Sequence, residues 1–195
     1  MQKRSQETRT RILSAALELF SQSGYQAAGV AEICQAAGVS KGAFYHHFPA
    51  KQAVFLELLH GWLAILDGQM QVAQQQARSV PQALLDMAEG LQSVFQQSSR
   101  YLPMFLEFWT QASRDPEIWR QVIAPYHRYQ EYFKTIMQQG IDEGSLRPGD
   151  ADTAARLLVA AAVGLLLQSV LEPEETSQAY SPRASIEILL QGLAQ

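Results

Sequence analysis

Apolar residues recur at helical spacing along almost the whole chain, whereas no stretch of useful length alternates with a period of two. An amphipathic first helix is predicted at about residues 5–22. It ends at Ser23-Gly24, because glycine adopts the left-handed conformation that caps many helix C-termini. A second long helix is predicted from Lys51 to about Gln75. The pattern therefore predicts an all-α fold.

Two short helices are predicted between these long ones, at about residues 30–36 and 40–47. The segment Ala37-Gly38-Val39 forms a tight turn between them, and Ser40 is placed to cap the second short helix. Two short helices joined by a glycine turn are typical of a helix-turn-helix motif, whose second helix enters the major groove of DNA. The pattern thus predicts a DNA-binding head of three helices.

The rest of the chain predicts a larger helical body. Pro81 and Pro116 lie where first-turn prolines are favoured, Pro103 is expected to start or kink a helix, and Pro125 to kink another. The predicted helices lie at about residues 81–97, 101–113, 116–140 and 150–171, with a last one from Ser181. We therefore expect a helix-turn-helix DNA-binding domain at residues 1–50 and a second domain at residues 51–195, to which the family resemblance described below assigns ligand binding and dimerisation.

Composition narrows the class of protein. A chain of 195 residues, 47% of them hydrophobic, can bury a full core. The single cysteine, Cys34, allows no intrachain disulfide, and no secretory signal is evident at the N-terminus. The longest apolar run, Leu157 to Leu167, has eleven residues, fewer than the roughly 20 that span a bilayer. We expect a soluble, cytoplasmic protein without a membrane partner.

The net charge of −4 hides an asymmetry along the chain. Residues 1–52 carry six basic and three acidic side chains, whereas residues 53–195 carry nine basic and sixteen acidic ones. A basic head on an acidic body is typical of a head that meets a polyanion. Chance is the alternative explanation, so the charge split supports the helix-turn-helix prediction without replacing it.

The second helix of the motif carries the residues that are expected to meet DNA. Gly42 and Ala43 are small enough for close approach to the bases, and Lys41 lies in the first turn. Phe44 and Phe48 are expected to form the apolar underside. Tyr45, His46 and His47 offer hydroxyl and imidazole donors to the DNA backbone or groove. Lys51, at the start of the next helix, is expected to contact phosphate. The predicted DNA-binding residues are Ser40, Lys41, Gly42, Ala43, Tyr45, His46, His47 and Lys51.

Three stretches of the chain resemble the TetR family of transcriptional regulators. They read TRTRILSAALELFSQSGYQA and VAEICQAAGVSKGAFYHHFPAKQAVF in the head and, more loosely, GIDEGSLRPGDADTAARLLVAAAVGLL in the body. The resemblance implies a three-helix DNA-binding head, a larger helical body that binds a small molecule, and a dimer formed through the last two long helices. Residues 75–115 match no specific motif.

The chain departs from that family just before the first helix of the motif. Members usually have a pair of threonine or serine residues there, whose hydroxyls cap the helix and touch phosphate, whereas this chain has Ala28-Gly29. Replacing such a cap with alanine costs about 0.5–2 kcal/mol, but glycine costs only a few tenths. With Gly29 as the N-cap, we expect the helix to form and the missing phosphate contact to weaken DNA binding modestly.

The body is rich in aromatic residues at helical spacing. Aromatic walls with a few polar groups suit a small-molecule pocket, and the resemblance places a pocket among these helices; plain core packing is the alternative for each residue. Glu107, Gln111 and His127 are predicted polar anchors. A cationic ligand is an alternative to an apolar or aromatic one, because aromatic faces attract cations. The predicted ligand-binding residues are Trp62, Leu66, Met87, Leu91, Phe105, Phe108, Trp109, Tyr126, His127 and Tyr129.

A homodimer is predicted from the two C-terminal helices. The stretch Ala154 to Leu167 is rich in alanine, contains Gly164, and is apolar on more than one face. A surface helix would not need that pattern, whereas close packing against a second copy would. Burial within one subunit is the alternative explanation.

Together these patterns predict a ligand-responsive DNA-binding transcriptional regulator. We expect a repressor that a small apolar or aromatic effector releases from a pseudo-palindromic DNA operator. The chain has no Gly-x-Ser-x-Gly elbow and no phosphate-binding loop, so no enzyme activity, catalytic residue or cofactor is predicted. His46 and His47 point about 100° apart on a helix, so no metal site is predicted. A binding protein that has kept the head without using it is the remaining alternative.

Overall fold

The computed structural model describes residues 2–90, 92–171 and 181–192, and the regular elements in these ranges are helices. They are α1 Gln2–Ala27, α2 Val30–Ala37, α3 Lys41–His47, α4 Lys51–Gln76, α5 Val80–Gly90, α6 Gln92–Ala112, α7 Pro116–Asp142, α8 Ala151–Leu171 and α9 Pro182–Gln191. The all-α prediction is confirmed. The predicted end of a helix near residue 97 is wrong, because α5 ends at Gly90 and α6 continues through Pro103. The end of α5 at Gly90 is consistent with helix propensity, because glycine has the weakest propensity after proline.

Contacts divide the chain into two compact units, to both of which α4, α6 and α7 contribute. The first unit contains the chain up to Ile65 together with Pro103–Trp119. The second contains Leu66–Leu102 and the chain from Arg120 onward. The functional boundary between residues 50 and 51 stays a prediction. The first unit nevertheless includes more than the predicted head, since parts of α4 and α6 pack within it.

A cluster of aromatic rings forms the core of the first unit. Phe20, Tyr25, Phe55 and Phe108 are each at most 1% exposed. The rings of Phe55 and Phe108 stack with their centroids 3.9 Å apart, and Tyr25 forms a T-shaped pair with Phe108 at 4.9 Å. Such ring pairs contribute about 0.5–1.5 kcal/mol beyond the area that they bury. Because Phe108 belongs to α6, this cluster explains why the end of that helix packs with the head.

Apolar side chains from α5, α7, α8 and α9 form the core of the second unit. They include Leu84, Met87, Ile136, Met137, Leu158, Ile186 and Leu190. Beside this core, the Asp67 carboxylate accepts hydrogen bonds from the Tyr129 hydroxyl at 2.7 Å and from the Arg128 guanidinium at 2.8 and 3.1 Å. Burial and the bond to Asp67 raise the pKa of Tyr129 well above its usual value. This network fixes α4 against α7 within the unit.

Helix α8 leaves an apolar surface uncovered. Its stretch Ala151–Gln168 has a mean hydropathy of 1.4, and 22% of it is buried within this chain. By length and composition alone that stretch could cross a membrane, a criterion that core helices of soluble proteins also meet. The exposed large side chains are Leu157, Val163, Leu167 and Leu171, with Ile188 of α9. Large exposed apolar patches are uncommon on monomeric soluble proteins, and they are typical of protein interaction sites.

Candidate nucleic-acid interface

Local hydrogen bonds build the helix-turn-helix. Gly29 is the N-cap of α2, and its N–H donates to the Glu32 carboxylate at 2.8 Å, so α2 forms without a hydroxyl cap. Gly38 ends the helix in the left-handed conformation, with φ of 61°. Ser40 then caps α3, because its Oγ accepts the N–H of Ala43 at 3.1 Å. The predicted glycine turn and the predicted serine cap are confirmed.

Helix α3 presents a polar face to solvent. Its underside is closed by Phe44 and Phe48, which are 0% and 2% exposed. The Tyr45 ring, which contacts the Phe44 ring edge-on at 5.3 Å between centroids, is 54% exposed. The exposed predicted residues are Ser40, Lys41, Gly42, Tyr45 and His46, and the half-buried ones are Ala43 and His47. These residues are thus at least partly accessible to solvent, and their contact with DNA stays a prediction.

Residues 24–28, which we call the linker turn, comprise the part of α1 that follows its break at Gly24 and the connection to α2. The backbone leaves the helix at Gly24, where φ is 83° and ψ is 163°. The Glu107 carboxylate of α6 accepts the N–H groups of Tyr25 and Gln26, each at 2.8 Å. A Cβ on Gly24 would lie 2.6 Å from Glu107 Oε2, so a side chain there would displace the carboxylate. Glu107 is thus engaged by the backbone and does not fit the predicted role of a ligand anchor.

Lys51 binds the backbone carbonyl groups of the linker turn. Its Nζ donates to the carbonyls of Tyr25, Gln26 and Ala28 at 2.7, 3.2 and 3.0 Å. An ammonium group has three N–H donors, so all of them are used. The predicted phosphate contact of Lys51 therefore does not fit this geometry. Burial lowers the pKa of Lys51, although the negative charges of Glu107 and Glu32 oppose that shift.

Arg9 is a second basic residue of the head with a structural partner. Its guanidinium pairs with the Glu57 carboxylate, through Nε at 2.8 Å and also through Nη2. The same group lies 4.9 Å from the centroid of the Phe48 ring, at the end of α3. Arg9 therefore joins α1, α3 and α4. No local sequence signal pointed to this role, since the carboxylate lies 48 residues away along the chain.

The predicted ligand-binding residues are distributed over both units. Trp62, Phe105, Phe108 and Trp109 belong to the first, Leu66, Met87, Tyr126, His127 and Tyr129 belong to the second, and Leu91 lies outside the described residues. Phe105 packs on Phe55 and Trp62 at 5.1 and 5.8 Å between centroids, so core packing accounts for much of its environment. In contrast, the Trp109 indole N–H is buried with no hydrogen-bond partner among the described residues. Ligand binding by these residues stays a prediction.

Replacement of Lys51 by methionine separates a structural role from a phosphate contact. We expect the free energy of unfolding to fall by about 1–3 kcal/mol, because carbonyls of the linker turn lose their donors. The salt dependence of DNA affinity should stay unchanged, because no phosphate contact is lost. Urea denaturation and DNA titrations over a range of salt concentrations measure the two effects. Lys41→Met, which removes an exposed ammonium, is the control. A flatter salt dependence for Lys51→Met with unchanged stability would contradict the structural role of Lys51.

Known proteins with similar sequences are transcriptional regulators. Residues 12–58 match the family model described as bacterial regulatory proteins, tetR family. Residues 81–194 match the C-terminal family described as BetI-type transcriptional repressor. The HTH-type transcriptional regulator UidR of Escherichia coli K12 is 26% identical over 196 residues, which cover 99% of this chain and 96% of UidR.

Solved structures agree with the fold. A transcriptional regulator from Pseudomonas aeruginosa PAO1 has a TM-score of 0.73 at 26% identity, covering 93% of this chain and 86% of that one. A regulator from Saccharomonospora viridis in complex with choline has a TM-score of 0.76 at 22% identity, covering 97% of this chain and 99% of that one. Both are described as transcriptional regulators, as UidR is. With a helix-turn-helix head and family matches over residues 12–58 and 81–194, the chain belongs to the TetR family of DNA-binding transcriptional regulators.

Proposed function

We propose that this protein is a cytoplasmic repressor whose operator binding responds to a small effector. The observation that carries the proposal is the exposed polar face of α3, which stands on the buried rings of Phe44 and Phe48. The proposed operator contacts are Ser40, Lys41, Gly42, Ala43, Tyr45, His46 and His47. Lys51 acts indirectly, because it holds the linker turn in place.

The uncovered face of α8 supports a homodimer. Leu157, Gly164 and Leu171 recur every seven residues and therefore lie on one face of the helix, with Val163 and Leu167 beside them. A second copy that packs on this face removes exposed apolar side chains from water. The α3 helix of each copy, which we call the reading helix, then meets one of two half-sites about 34–36 Å apart, so the operator is a pseudo-palindrome.

The Trp109 indole supports an effector site in the first unit. A buried N–H without a partner costs about 1–3 kcal/mol, and an effector that carries an oxygen acceptor removes that cost. Trp62 and Phe105 pack on each other in the same unit and suit an apolar or aromatic effector. The choline complex of the Saccharomonospora viridis regulator supports small-molecule binding by this fold, and the match to BetI-type repressors supports repression.

Helix α6 offers the connection between effector and operator. Trp109 lies two residues after Glu107, whose carboxylate holds the linker turn next to α2. An effector that shifts this part of α6 therefore changes how α2 and α3 are held. By linkage, DNA must weaken effector binding by the same factor by which the effector weakens DNA binding.

Selection of bound fragments from random duplex DNA tests operator binding and identifies the operator at once. We expect a palindromic consensus for the wild type. Lys41→Ala and Tyr45→Phe should each relax the preference at one or two positions, since a good base contact contributes about 1–3 kcal/mol of discrimination. An identical consensus for both variants would mean that neither side chain reads a base. No enrichment at low salt would refute operator binding itself.

The Trp109→Phe variant tests the effector site, because it keeps an aromatic ring and removes the N–H. Operator affinity is measured with and without choline as a cationic probe and benzoate as an aromatic probe. Whichever probe releases wild-type protein should bind the variant about tenfold more weakly, the value of one buried hydrogen bond. Operator affinity without a probe should not change. A probe that binds equally well with and without operator would contradict effector-dependent release.

The Gly164→Leu variant tests the dimer interface. A Cβ at Gly164 meets no atom within 4 Å among the described residues, so we expect the larger side chain to be tolerated within one subunit. It should nevertheless block close approach of a second α8 and shift the protein toward monomer in light-scattering measurements. Gly68→Leu on α4, where a Cβ also meets nothing within 4 Å, is the matched control. Equal self-association of both variants would exclude this face as the interface.

A further inference from the structure

The basic residues of the head differ in what their charges contact. Arg9 pairs with Glu57, and the ammonium of Lys51 donates to backbone carbonyls. Arg4 and Arg11 on α1 are exposed, and within the described residues no ion pair involves either of them. Two of the charges that made the head basic are therefore used internally, whereas α1 carries guanidinium groups that are available to a partner.

Arg11 lies beside the turn that leads into α3. Its Nη1 is 3.7 Å from the position that a Cβ on Gly38 would occupy, and Arg11 lines a surface groove with Ala36 and Ala37 of α2. Arg4 precedes Arg11 by seven residues, so it lies on nearly the same face of α1, about 10 Å away along the helix axis. A basic edge, which we define as Arg4 and Arg11, thus runs outward from the N-terminal end of the reading helix.

We propose that the basic edge binds the phosphate backbone of duplex DNA next to the groove that α3 enters. The N-terminal residues of a recognition helix reach the base edges, so groups beside that end of the helix face the phosphates that border the groove. A guanidinium is planar and matches a phosphate with two parallel hydrogen bonds. This surface supplies the phosphate contact that Lys51 does not make, and it places α1 in the DNA footprint. The inference rests on DNA binding by the head.

Glu7 is the acidic residue within this surface. It lies between Arg4 and Arg11 on the same side of α1 and is exposed. Its carboxylate repels phosphate and attracts the neighbouring guanidinium groups, so it opposes the proposed contact. The effects of Glu7 and Arg11 on DNA affinity must therefore have opposite signs, which makes the proposal directly testable.

The experiment compares Arg11→Gln, Arg4→Gln and Glu7→Gln in the full-length protein. The probes are the selected operator duplex and a scrambled duplex of equal length, each titrated over a range of salt concentrations. Arg11→Gln should weaken binding about tenfold on both duplexes. For each contact removed per bound subunit, the slope of log affinity against log salt should flatten by about 0.9. Arg4→Gln should act in the same direction, and Glu7→Gln should strengthen binding to both duplexes.

Arg147→Gln is the matched control, because it removes an equal charge from an exposed position in the second unit. It should leave the slope unchanged, and thermal denaturation should give all four variants the stability of the wild type. An unchanged slope for Arg11→Gln, with the wild type still binding, would overturn the basic edge and leave operator binding intact. A wild type that retards neither duplex at low salt would overturn operator binding and the basic edge together.

Discussion

The linker turn between α1 and α2 is held by two side chains of opposite charge, and the placement of the reading helix depends on them. The Glu107 carboxylate accepts hydrogen bonds from the N–H groups of Tyr25 and Gln26, which follow the break of the helix at Gly24. The Lys51 ammonium donates hydrogen bonds to backbone carbonyls of the same turn. Hydrogen bonds to charged groups are about twice as strong as neutral ones. Since α2 starts directly after this turn, its position follows from these bonds.

The same constraint makes α6 part of the head. Phe108 stacks on Phe55 and meets Tyr25, while the neighbouring residue Glu107 holds the backbone of that tyrosine. Polar and apolar contacts thus reach the linker turn from adjacent positions of one helix. A head cut after residue 50 would lose Lys51, Phe55, Glu107 and Phe108 together. Residues that are distant in sequence are therefore needed for a motif that looks local.

How much was predictable from the sequence depends on the range of each interaction. Ser40 and Gly38 were assigned correctly because caps and turns use groups within a few residues. Lys51 was predicted to contact phosphate, whereas its ammonium donates to backbone carbonyls 23 to 26 residues away, partners that leave no side-chain pattern in the sequence. Glu107 meets the linker turn across 81 and 82 residues, and its role depends on tertiary packing. The aromatic residues of the body showed a wide apolar face, but spacing does not distinguish a core from a pocket.

The first turn of α3 has a further consequence for how operator preference can change over time. Gly42 is exposed, and within the described part of the chain a Cβ there would meet Ser40 Oγ alone, at an ordinary contact distance of 3.8 Å. A Cβ is therefore accommodated at this position, and replacing glycine within a helix generally favours folding. The added group would project from the end of the helix that reaches the bases. Since Gly42 is a proposed operator contact, we expect a single codon change there to give a duplicated gene of this kind a different target preference.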